Sequence, residues 1–160
     1  MTAADQPRWL DPQEQRTWVQ LSTMVLRLQP VLGAQLQREF GISHFEYLIL
    51  ARLSDAAEAK LRMSVLATLT GSSLPRLSQA VGRLEKRGWV ARQSDPDHSR
   101  YTLAVLTDTG RRRLEDMAPS HIATVREYVF DRLTRAQARQ LGTISQRILD
   151  GLPPDDTWPS

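Results

Sequence analysis

Residues 61–107 constrain this chain more than any other stretch. They hold a short alternating segment, two short apolar-periodic segments joined by Gly71-Ser72-Ser73, and two further alternating segments joined by Ser94-Asp95-Pro96-Asp97. Gly71 and Gly88 stand where helices should stop. Ser64 is placed to cap the first helix, Ser72 or Ser73 the second, and Pro75 suits a first turn. The Ser-Asp-Pro-Asp link is strong turn chemistry between two strands. The expected order is strand, helix, tight turn, helix, hairpin. Positive charge collects in the same place. From position 60 to 106 there are eight basic residues against three acidic ones, a local +5 in a chain whose total is +3. Charge concentrated on one module points to a polyanionic partner better than a high overall pI does.

That order is the plan of a winged helix-turn-helix. The fold class expected is mainly α with a small β-wing: a DNA-binding lobe plus a helical dimerisation region drawn from both termini. At 160 residues the chain fits one compact domain, or one domain with dimerising extensions. It has no cysteine, which removes disulfides, thiol switches and thiolate metal sites. No apolar run approaches the roughly 20 residues that cross a bilayer, and the polar N-terminus does not read as a signal peptide. A cytoplasmic location, with no membrane partner, is the simplest expectation.

The flanks are equally well punctuated. Asp11-Pro12-Gln13-Glu14 makes a capping box. After it, Trp18, Leu21, Val25, Leu28 and Leu32 recur at three and four residues, a seam for a partner helix. Pro30 should kink this helix or end its first half. Gly41 reads as a stop and Ser43-His44-Phe45-Glu46 as a second capping box. Residues 55–59 read as a loop. Thr107-Asp108 opens a long helix carrying Leu114, Met117, Ile122, Val125, Val129 and Leu133, bent by Pro119. Thr134 to Gln137 is a further capping box, followed by Leu141, Ile144, Ile148 and Leu149. Residues 11–40 are thus expected as an N-terminal dimerisation helix, 43–106 as the DNA-binding lobe, 107–150 as C-terminal dimerisation helices, and 151–160 as a disordered tail. A lobe of about 50 residues cannot bury both amphipathic arms alone. A homodimer follows, with Trp18, Leu21, Val25, Val125, Val129, Leu141, Ile144 and Ile148 at its interface.

In a helix-turn-helix the second helix enters the major groove and its N-terminal residues meet base edges. Removing the inner face (Leu77, Ala80, Val81, Leu84) leaves Pro75, Arg76, Ser78, Gln79, Gly82 and Arg83 outward. Arg grips guanine at two atoms, Gln grips adenine, and Ser serves a base or a phosphate. Arg76 is the first candidate for base reading and Gln79 the second, with Arg83 on a base or the backbone. Ser72 and Ser73, beside free helix-start amides, suit a phosphate oxygen. In the hairpin, His98, Ser99 and Arg100, flanked by Arg92, form a basic wing whose tip suits a minor groove. The competing reading of that tip is a surface turn in which Arg100 pairs with Asp95 or Asp97.

These residues resemble the MarR family of bacterial winged-helix transcription factors. The resembling phrases are Arg62-Met63-Ser64-Val65-Leu66-Ala67, Arg76-Leu77-Ser78-Gln79, Arg83-Leu84-Glu85-Lys86-Arg87-Gly88-Trp89-Val90 and Leu106-Thr107-Asp108-Thr109-Gly110. A weaker likeness extends to Trp9-Leu10-Asp11, to Ala118-Pro119-Ser120-His121 and to Val129-Phe130-Asp131-Arg132-Leu133-Thr134. The resemblance implies a helical dimer with two DNA-binding lobes. It implies a pseudo-palindromic operator in double-stranded DNA, usually repressed, and in many members release by a small aromatic ligand. The family wing often carries Asp-x-Arg. Counting back from Leu106-Thr107, Arg100 takes the Arg position and His98 the Asp position, with Asp97 one residue earlier.

For an aromatic effector the candidate residues are Trp18, Met24, His44, Tyr47 and Leu48, since aromatics can line an apolar cleft. Plain core or dimer interface fits their spacing too. The three histidines, His44, His98 and His121, never pair at metal-ligand spacing, and no metal or cofactor is expected. No phosphate loop, nucleophile elbow or carboxylate pair is present, so an enzyme is not expected. The alternatives to a ligand-released repressor are a regulator indifferent to ligand and a winged-helix module that binds protein.

Overall fold

The computed structural model describes residues 7–152. The expected tail therefore lies almost wholly outside the described residues. Gly151 and Leu152 form a turn whose amides donate to Ile148 and Leu149.

Among the described residues, six α-helices and three strands follow in the order α1 (Pro12–Phe40), α2 (His44–Asp55), β1 (Lys60–Arg62), α3 (Met63–Leu69), α4 (Leu74–Lys86), β2 (Val90–Ser94), β3 (Thr102–Leu106), α5 (Asp108–Tyr128) and α6 (Arg135–Asp150). The fold is mainly helical with a small antiparallel sheet, as expected. Short 3-10 turns cover Ala57–Ala59, within the expected loop, and Phe130–Arg132. The second of these ends α5 before Val129 and Leu133, which the apolar periodicity had placed in one continuous helix.

Three capping boxes form as read. The Asp11 carboxylate accepts from the Glu14 amide at 2.8 Å and Glu14 accepts from the Asp11 amide at 2.9 Å. Ser43 with Glu46, and Thr134 with Gln137, make the same reciprocal pair. Two helix starts differ. Met63 follows Arg62, which offers no side-chain cap, so Ser64 is already inside α3. Ser73 occupies the cap position of α4 without a capping bond, because Pro75 and the turn fix the entry instead. Neither internal proline ends its helix: α1 runs on through Pro30 and α5 through Pro119. A proline removes one donor, which a helix of 29 or 21 residues absorbs.

The chain divides into two units, up to Val31 and from Leu32 onward. In the first, α1 carries Trp18, Val19, Met24, Val25 and Leu26 exposed. The second contains the core. There α1 ends with Leu32, Gln35 and Leu36 buried, so the close of α1 belongs with this unit. Leu36, Ile42, Ile49, Leu50, Leu53, Leu66, Leu77, Val81, Leu84 and Met117 are almost completely buried together. The sheet order is β1-β3-β2, with Leu61 opposite Ala104 and Arg92 opposite Ala104 on the other side. No residue of α6 is buried, and Ile144, Ile148 and Leu149 are exposed. No described helix is long and apolar enough to cross a membrane.

The junction of β3 and α5 shows why Leu106-Thr107-Asp108-Thr109-Gly110 is built as it is. The Thr107 hydroxyl accepts from the Gly110 amide at 3.0 Å and donates to the Gly88 carbonyl at 2.7 Å. The Thr107 amide donates to the Trp89 carbonyl at 3.1 Å. A Cβ on Gly110 would lie 2.1 Å from that same Trp89 oxygen. The first turn of α5 is thereby clamped to the base of the hairpin.

Candidate nucleic-acid interface

The turn between α3 and α4 is a Schellman closure. Gly71 adopts φ +57°, its amide donates to Thr68, and the Ser72 amide reaches back to Ala67 at 3.0 Å. Gly88, at φ +72°, closes α4 in the same way onto Glu85 and Leu84. Between these stops α4 buries Leu77, Ala80, Val81 and Leu84. At 100° per residue, Pro75, Gln79, Gly82 and Lys86 run along the opposite stripe. Ser78 and Glu85 then flank the hairpin, and Arg76, Arg83 and Arg87 flank the start of α2.

Those flanking residues are engaged. Arg76 is exposed with its guanidinium 4.6 Å from the Phe45 ring centroid. Arg83 Nε donates to Glu46 Oε1 at 2.8 Å, and Arg87 donates to the Gly41 carbonyl at 2.7 Å. Glu46 is 5% exposed, and its other oxygen accepts from the Ser43 amide and hydroxyl. Burial works against its charge, yet the Ser43 amide, Arg83 and the Ser43 hydroxyl together hold its carboxyl below the usual range. One carboxylate thus caps α2 and tethers α4. Arg83, expected to face outward to DNA, serves that tether, though it remains exposed at the surface.

Arg92, expected to flank the basic tip, braces the hairpin against α4. Its guanidinium donates to the Ser78 carbonyl and hydroxyl and pairs with Glu85 at 3.3 Å. The tip itself is ordered around Asp95, a residue 6% exposed. Asp95 Oδ2 accepts from Arg62 Nε at 2.7 Å and Oδ1 accepts from the Asp97 amide at 3.0 Å. Burial opposes the charge of Asp95, but Arg62 and the Asp97 amide bring its pKa below the usual carboxylate value. Arg62 also lies 4.6 Å from the Tyr101 ring centroid, and its Nη2 is 3.3 Å from His98 Nδ1. In the sequence Arg62 has a place in the local charge and in a family-like phrase, but no structural partner. Nothing local marks a strand-end arginine as the support of a turn 33 residues away.

The partner of Asp95 is therefore Arg62, not Arg100. Among the described residues Arg100 has no hydrogen-bond or ion-pair partner, and it projects at the tip with His98 and Ser99 exposed beside it. Between α4 and the hairpin lies an open groove of about 390 Å³. Its lining includes Arg62, Arg92 and Arg100 with Leu74, Ser78 and Tyr101. Ser73 is exposed at the helix start, while the Ser72 hydroxyl sits 3.3 Å from that of Thr70.

The candidate effector residues fall in both units. Trp18 and Met24 are exposed in the first unit. Tyr47 is buried in the core of the second, with Leu48 half-buried beside it. The Tyr47 ring is 4.2 Å from that of His121, and His44 lies 5.5 Å from His121. Gln35 donates to Glu39 and Ser120, which leaves its oxygen for His121 Nδ1–H at 3.3 Å. Burial pushes both histidines below their usual pKa, and the neighbouring His44 adds to this at His121. His121 was not among the expected site residues.

A family model described as MarR family matches residues 40–100, from the end of α1 to Arg100. A MarR family transcriptional regulator of Streptomyces coelicolor, solved in complex with DNA, is 41% identical, with a TM-score of 0.88 over 95% of each chain. AbsC, a MarR family regulator of the same organism, is 33% identical, with a TM-score of 0.83 over 90% of this chain and 97% of its own. The transcriptional repressor MprA of Escherichia coli is 25% identical over 70% of this chain, and the match spans 63% of the length of MprA. The lobe described above carries the family match, and the 41% identity to the DNA-bound Streptomyces coelicolor regulator extends over 95% of this chain, so the chain belongs to the MarR family of transcriptional regulators.

Proposed function

We propose that this chain is a sequence-specific, double-stranded DNA-binding repressor that acts as a homodimer in the cytoplasm. The carrying observation is the outward stripe of α4 beside a groove bearing three arginines, one of which, Arg100, has no partner in the lobe. With α4 in the major groove, Gln79 sits at the centre of the reading face and Arg76 at its edge. Arg100 extends toward the adjacent minor groove from a tip held by the Arg62–Asp95 pair. Two copies reading successive major grooves match a pseudo-palindromic operator.

The dimer is supported by what each arm leaves uncovered: Trp18 and Val25 on α1, and Ile144 and Ile148 on α6. Val125, Val129 and Leu141 are only half-buried in the single chain, and Leu21 likewise. Release by a small aromatic ligand is supported by the ring cluster of Tyr47, His44 and His121 where the end of α1, α2 and α5 meet. A ligand binding there releases DNA only if it favours lobe positions that misfit the operator.

The test begins with selection of bound duplexes from a random pool. The selected site should be an inverted repeat, and affinity should fall with salt at a log–log slope of about −0.9 per phosphate contacted. Arg76→Ala and Gln79→Ala should each cost roughly 1–3 kcal/mol of discrimination at one base pair. No enrichment of any duplex, or binding insensitive to salt, would favour the protein-binding alternative and overturn the proposal.

A further inference from the structure

Gly82 has no explanation inside the fold. It lies in the middle of α4, where glycine weakens a helix relative to alanine. Its backbone is ordinary right-handed helix, so no left-handed conformation requires it. Space does not require it either: a Cβ would meet only the Arg92 guanidinium nitrogen at 3.9 Å, an ordinary contact. Gly110 is the contrast, where the same atom would collide with backbone. The missing side chain leaves a notch on the outward face of α4 that no neighbour within the chain fills.

Its surroundings indicate what fills it. Gly82 shares the outward stripe of α4 with Gln79, three residues before it, and Lys86, four residues after it. It lies about 12 Å along the helix from Leu74, beyond the turn whose residues meet base edges. Cations border it on the wing side (Arg92) and further along the stripe (Lys86), and Lys86 has no ion-pair partner among the described residues. We propose that Gly82 is a notch that seats one phosphodiester of the DNA strand at the rim of the major groove. Its missing Cβ lets that strand close onto the helix backbone while Lys86 neutralises it. Close approach of a ligand to backbone is a standard use of glycine. The inference rests on the DNA-binding reading above and deepens it.

The experiment compares wild type with Gly82→Ala and Gly82→Leu on a duplex selected by the wild-type protein. Gly82→Ala should raise the melting temperature by roughly 1–4 °C, because it improves the helix. The same change should weaken DNA binding at least about tenfold, with Gly82→Leu worse. The salt slope should become shallower by about one phosphate contact. Alanine binding DNA as well as glycine overturns the notch and leaves the DNA reading intact. A lowered melting temperature overturns it too, since glycine would then serve the fold. Wild-type protein that selects no duplex overturns the DNA reading and the notch together.

Discussion

Gly110→Ala should be far more damaging than a methyl group suggests. The added carbon would stand 2.1 Å from the Trp89 carbonyl oxygen, 2.8 Å from Leu106 Cδ1 and 2.9 Å from the Trp89 carbonyl carbon. Carbon–oxygen contacts lie at about 3.3 Å or more, so α5 and the hairpin base must separate by roughly 1 Å. Two of the three atoms are backbone and cannot rotate away. The same Trp89 oxygen accepts the Thr107 amide that starts α5, so the displacement also strains that bond. Overpacking costs about 1–3 kcal/mol, with backbone collisions at the upper end. A weakened hydrogen bond adds roughly 1 kcal/mol, and alanine's better helix propensity returns about the same. The net is about 3 kcal/mol, or roughly 6–12 °C in melting temperature for a chain of this size. Thermal unfolding followed by circular dichroism, at one fixed protein concentration, measures it. A Gly110→Ala protein melting within about 2 °C of wild type would refute the clamp. The opposite sign expected for Gly82→Ala makes the two variants an internal comparison, since both place the same methyl on a helical glycine.

Three further outcomes follow from the geometry. Glu46→Ala should lose about 1–3 kcal/mol in urea unfolding, mostly from the capping box. Arg83 is more than half exposed, so a double-mutant cycle should assign its pair at most about 1 kcal/mol; a neutral Glu46→Ala would contradict the tether. Arg62→Ala should speed hydrogen exchange at the amides of Asp97 and Tyr101 and lower affinity for all duplexes alike. Unchanged exchange there would show that the tip is held by other means. His44 and His121 have lowered pKa values, so the unfolded chain binds more protons than the folded one as pH drops below about 6.5. Their contribution is complete above that range and lost as pH falls through the folded values. Melting temperature should therefore fall between about pH 7.5 and pH 5.5, and the His44→Gln/His121→Gln protein should show a flatter profile; equal slopes would refute the assignment.

What the amino-acid order determined alone is local. Capping boxes at Asp11, Ser43 and Thr134, glycine stops at Gly71 and Gly88, and the inner face of α4 all follow from interactions within about four residues. Such interactions act whatever the rest of the chain does, so spacing reveals them. Pro30 and Pro119 show the limit even here, because a long helix tolerates one missing donor. The fold class and the outward positions of Arg76, Gln79 and Arg100 were legible for the same reason. The tertiary structure decided which cations are free. Arg92 is drawn to Ser78 and Glu85, Arg83 to Glu46, and Arg62 to Asp95, leaving Arg100 without a partner among the described residues. It also joined His121 to Gln35, 86 residues apart. An arginine reads the same in sequence whether it holds its own fold or waits for a phosphate. Only the positions of distant carboxylates and carbonyls, brought near by the packing of the core, distinguish the two.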